Sequence, residues 1–153
     1  TLREERTILR ILDSLLSRSI IPVINENDLV DKEEFDFRGH FTDNDILAAL
    51  VAVGTKPELA VILTNVDGLH AGGENGPLVP VVEHIDGDIR AHASKEVHPL
   101  GLGGMLSKVE AAKMMTAQGI DVIIGSGDES LDRLIEGSAP RTLFRGQRQE
   151  VAT

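Results

Sequence analysis

The chain holds 153 residues, of which 41% are hydrophobic and 26% charged, a globular composition about one domain in length and able to bury a core without metal or disulfide staples. Fifteen basic against 25 acidic residues give a net charge of −10, which repels phosphate backbones and anionic lipid, so neither nucleic acid nor a membrane surface is an expected partner. Cysteine is absent, excluding disulfide scaffolds, zinc-thiolate sites and cysteine nucleophiles. No apolar run approaches the roughly 18 residues needed to span a bilayer, and the opening TLREERTILR shows no signal-peptide pattern, so a soluble cytoplasmic protein is the expectation.

In chain order, Ile8, Ile11, Leu12, Leu15 and Leu16 share one face of a helix over residues 4–18. The β-branched run at residues 20–24 reads as a buried strand, although Pro22 cannot donate to a ladder. Residues 26–45 carry eight acids and three of the four phenylalanines; so long a polar connection reads as a functional loop. An apolar helix follows from Asn44 to Val53, with Thr42 or Asp43 as N-cap and Gly54 as terminator. The spacing then predicts strands at residues 59–63 and 78–82, a short helix over residues 86–93, and a glycine-rich turn at residues 101–104. A helix over residues 107–118, a strand at 122–124, a helix at 131–136 and a strand at 142–144 complete the chain. Strands alternating with helices imply an α/β domain with a mainly parallel sheet, whose ligands bind beyond the carboxyl ends of the strands.

Three polar clusters carry candidate chemistry. The run Gly101-Leu102-Gly103-Gly104-Met105-Leu106-Ser107-Lys108 enters a helix directly. Glycines allow close backbone approach to an anion, the helix start offers free N–H groups, and Lys108 can neutralise phosphoryl oxygens. It is not a Walker A sequence, because its lysine follows Met-Leu-Ser rather than glycine. Asn25-Glu26-Asn27-Asp28 and Asp43-Asn44-Asp45 offer the carboxylates and carboxamides that hold an amino acid or orient a catalytic cation, though Asx residues also crowd turns and caps. Thr64-Asn65-Val66-Asp67-Gly68 follows a strand, where it can touch a nucleotide or simply turn the chain. The five histidines show no metal-ligand spacing, so no metal site is expected on protein ligands. Ser126, between two glycines, reads as a turn.

Read in order, INENDLV, FTDNDILAALVA, LAVILTNVDGLH, GLGGMLSKVEAAKMMTAQGIDVIIGSG and RTLF resemble the amino acid kinase family, and within it the kinases that phosphorylate the side-chain carboxylate of glutamate in proline biosynthesis. The resemblance implies a three-layer α/β/α sandwich, with ATP and its Mg²⁺ as cosubstrate and a homo-oligomeric assembly. By position it implies Asp28, Asn44 and Asn25 at glutamate and Asp45 as the carboxylate that organises catalytic lysines. It implies Thr64, Asn65, Leu102, Gly103, Gly104, Met105, Leu106, Ser107 and Lys108 at ATP, with Lys108 also the charge stabiliser. Asn65 stands where the family usually has Asp. The family's amino-terminal lysine-bearing strand and glycine turn have no counterpart in residues 1–19, so residues 1–153 read as one partial kinase domain, mainly its nucleotide-binding part. The expectation is that such a chain alone is inactive and needs the missing segment as partner. Kinases of acetylglutamate, aspartate or a nucleoside monophosphate, and a non-catalytic ligand-binding fragment, are the alternatives.

Overall fold

The computed structural model describes residues 2–25, 44–95 and 104–148. Helix α1 (Leu2–Leu16) precedes α2 (Asn44–Thr55), β1 (Leu59–Thr64), β2 (Val81–Val82) and α3 (Gly87–Ser94). Helix α4 (Met105–Thr116), β3 (Asp121–Ser126), α5 (Leu131–Glu136) and β4 (Arg141–Phe144) follow. The strands form one sheet in the order β1-β3-β4-β2. Parallel pairing sets Thr64 opposite Ser126 and Val82 opposite Phe144, while β3 and β4 run antiparallel with Val122 opposite Phe144. The sheet is thus mainly parallel, as expected, with one antiparallel joint.

Strand alternation divides the core between two faces. Val122 and Ile124 of β3, with Ile62 and Phe144, pack against Ala49 and Ala52 of α2, Val109, Ala112 and Met115 of α4, and Ala93 of α3. On the other face Ile123 and Leu143 meet Leu134 of α5 and Ala139. Helices on both sides of the sheet make the three layers. Helix α3 begins on Asp86, whose carboxylate accepts from the N–H groups of Asp88 and Ile89 at 3.0 Å, and α5 begins on Ser130 and ends on left-handed Gly137, the capping that fixes both short helices.

Two expectations need correction, at residues 20–24 and at Gly54. Residues 20–25 form no strand: Ile21 and Val23 are 86% and 92% exposed. A β-branched run has strand propensity, but a ladder requires a neighbour, and no described strand lies beside it. The predicted apolar face of α1 forms, yet only Leu12 is buried, with Ile11 and Leu16 exposed, because of the described elements only α2 packs closely on this helix. Gly54 does not end α2. It lies within the helix at the point where Leu9 of α1 presses against it, and the stop comes at Lys56, whose φ of 52° is left-handed. The N-cap expectation at Thr42 and Asp43, and the acidic, phenylalanine-bearing loop, lie outside the described residues.

Phe144 is fully buried in the larger cluster. Phe144→Ala should cost about 3–5 kcal/mol in chemical denaturation, since the lost ring leaves a cavity in the larger core cluster.

Candidate active site

Helix α2 leads into β1 and α4 into β3 through connections at residues 56–58 and 117–120. Links this short return each strand antiparallel to its helix. A 12-residue helix spans about 18 Å, and a six-residue strand about 20 Å. The starts of α2 and α4 therefore stand at the end of the sheet where β1 and β3 finish. Three sequence clusters, from α2, α4 and the turn after β1, share that end.

At the two helix starts, Lys108 Nζ donates to Asp45 Oδ2 at 2.9 Å. The two side chains are only 12% and 13% exposed, although 63 residues separate them in the chain. Small residues make the approach possible: Ala49 and Ala52 of α2 and Ala111 and Ala112 of α4 are all buried, and the two helices pack together. Gly104 sits at the N-cap of α4 in an extended conformation, with no side chain capping the first turn. The amides of Ser107 and Lys108 turn back to Gly104 O at 3.0 and 3.4 Å. Uncapped N–H groups at Met105 and Leu106, next to a lysine, suit an anionic ligand.

The turn after β1 is fixed by distant residues. Thr64 Oγ1 donates to Asn65 Oδ1 at 3.2 Å, and Gly127 N donates to Thr64 O at 2.8 Å, tying the ends of β1 and β3. Leu69 N donates to the buried Thr142 Oγ1 at 2.8 Å. Gly68 has φ 149°, and a Cβ there would stand 2.5 Å from the same hydroxyl oxygen, so only glycine fits. His70 Nε2 lies 2.6 Å from Asp67 Oδ1 and its Nδ1 2.7 Å from Gly76 O. With oxygen acceptors at both nitrogens, the ring makes both bonds only as imidazolium. Thr142 and His70 are positioning residues that the sequence reading missed. The Asp-x-x-His spacing was the one available hint, and nothing near Thr142 in sequence points to residues 68 and 69.

Of the candidate residues, the structure joins Asp45 to Lys108 and Thr64 to Asn65, and places Gly104, Met105, Leu106 and Ser107 at the same helix start as Lys108. Asn44 is exposed at the first turn of α2, and Asn25 is exposed beyond the irregular 20–24 segment. Asp28, Leu102 and Gly103 lie outside the described residues. Ser126 Oγ accepts from Asp128 N at 3.2 Å, which is the turn role expected of it. No described helix is long and apolar enough to cross a membrane.

The model of the amino acid kinase family matches residues 2–126. The chain belongs to the amino acid kinase family. A glutamate 5-kinase of Idiomarina loihiensis is 37% identical over 147 residues, covering 92% of this chain and 38% of the relative. One of Syntrophus aciditrophicus is 41% identical over 149 residues, covering 93% and 37%. This family member therefore spans under two-fifths of the length of those relatives. A solved UMP kinase of Ureaplasma parvum is 15% identical, with a TM-score of 0.47, over 69% of this chain and 41% of its own.

Breaking the Lys108–Asp45 pair from one side takes a charged partner from a mostly buried group. Asp45→Asn alone should destabilise the protein by about 3 kcal/mol, the low end for buried pairs because each partner keeps some water contact. Adding Lys108→Met should restore much of that loss in denaturant melts, since both members of the pair are then neutral; a double variant as unstable as the sum of the singles would show the two residues uncoupled.

Proposed function

We propose that this chain is the nucleotide-side part of a glutamate 5-kinase domain, which in the complete protein transfers the γ-phosphoryl group of ATP to the side-chain carboxylate of glutamate, opening proline biosynthesis. The observation that carries the reading is the Lys108–Asp45 pair, which couples the start of the glycine-led helix to the start of the helix bearing Asn44. The names of the relatives agree with it.

In this reading the backbone from Leu102 to Ser107 cradles the phosphates at the uncapped start of α4, and Thr64 and Asn65 contact the nucleotide from the end of β1. Asp45 holds Lys108 extended toward the transferring group, and Lys108 neutralises charge as it develops on the phosphoryl oxygens. Phosphoryl transfer asks for placement and charge stabilisation more than for covalent protein chemistry. Asp28, Asn44 and Asn25 grip the amino acid. Among the described residues no group of three acidic or histidine side chains is gathered for a metal, and Mg²⁺ suits a site in which phosphates and water supply most ligands. The complete protein acts as a homo-oligomer in the cytoplasm, and residues 1–153 without the rest of the kinase domain are inactive.

In the complete protein, Lys108→Ala should lower kcat by about 10²–10³-fold with little change in the glutamate KM; turnover within about threefold of the parent would remove Lys108 from the catalytic set. Asn44→Ala should raise the glutamate KM about five- to a hundredfold and leave the ATP KM nearly unchanged, as expected when one polar partner of the substrate is lost. Equal shifts for both substrates would count against a glutamate-binding role.

A further inference from the structure

We propose a second ligand site, for a small organic phosphate, in the cavity on the α5 face of the sheet. The cavity measures about 700 Å³, a small-molecule size. It opens where α2 ends and β1 and β3 begin. Lys56, at the end of α2, lies about 16 Å along the helix from Asp45, and the α5 face is the one turned away from α2 and α4. The site is therefore separate from the Lys108 end, and the inference does not rest on the kinase reading.

Charge selects the ligand. The lining holds Lys56, Arg141, Arg145 and Arg148 against Glu58 and Asp121, so two formal positive charges are left over in a chain whose net charge is −10. Arg145 and Arg148 approach Asp121 Oδ2 at 3.4 and 3.9 Å, and Gly146 N donates to Asp121 Oδ1 at 2.7 Å. These contacts fix one side of the cavity. Among the described residues, the side chains of Lys56 and Arg141 have neither ion pair nor hydrogen bond. Lys56 also occupies a left-handed position, φ 52°, where glycine would be easier. A phosphomonoester carries close to two negative charges at neutral pH and matches the excess, and guanidinium forks suit its oxygens. Leu59, Ile123, Ile135 and Leu143 supply an apolar wall for the organic body of the ligand.

Calorimetric titration of the full-length protein with phenyl phosphate and with inorganic phosphate tests the proposal. Phenyl phosphate should bind at least about fivefold tighter than inorganic phosphate, because its ring covers the apolar wall. Its affinity should fall about tenfold or more in Lys56→Gly/Arg141→Gln and stay unchanged in Arg90→Gln, which removes an exposed cation on α3 outside the cavity. Lys56→Gly alone relieves the left-handed backbone, so it should fold at least as well as the parent and still weaken binding about threefold. Unchanged affinity in both the single and the double variant, loss of binding in Arg90→Gln, or equal affinity for the two phosphates would overturn the assignment.

Discussion

The buried contact between Lys108 and Asp45 is the constraint around which the candidate site is arranged. An ammonium and a carboxylate withdrawn from water gain little net stability unless they are held at hydrogen-bond distance. That distance is set by the alanines through which α2 and α4 approach. Larger residues at Ala49, Ala52, Ala111 or Ala112 would separate the helices and lengthen this contact. The packing of four small side chains thus determines where a lysine at one helix start can point.

The turn after β1 depends on a different kind of constraint. Its backbone is pinned by a threonine hydroxyl from β4 and by a glycine that alone can pass beneath it, while His70 bridges Asp67 and Gly76. Buried polar groups need partners, and here Thr142 finds its partner in the amide of Leu69. Because β4 is antiparallel to β3, Thr142 arrives near the carboxyl ends of the parallel strands, where the turn needs support. The one antiparallel joint in the sheet therefore serves the loop that carries Thr64 and Asn65.

Charge is unevenly placed for so acidic a chain. Lysine and arginine gather on the α5 face and at the start of β1 and β3, around a carboxylate that already serves two arginines and an amide. At the other end Lys108 pairs with Asp45. Electrostatic potential follows such local groupings rather than the net charge, and the two ends of one sheet present different surfaces to anions.

Hydrophobic periodicity made the elements from α2 to β4 legible within a few residues, because each buries a stripe or a strand face whose spacing is local. The glycine-led run before α4 and the polar cluster at α2 stood out as candidates for the same reason: residue type and order suffice. The strand expected at residues 20–24 was not, since a ladder needs a neighbour. Nor did Gly54 end its helix, for its bareness serves Leu9 of α1. Tertiary structure alone decided that Lys108 meets Asp45, that Thr142 holds Leu69, and that four cations line one cavity. Such contacts join residues tens of positions apart, and their geometry is set by how closely helices and strands can pack, a quantity that no local stretch of sequence contains.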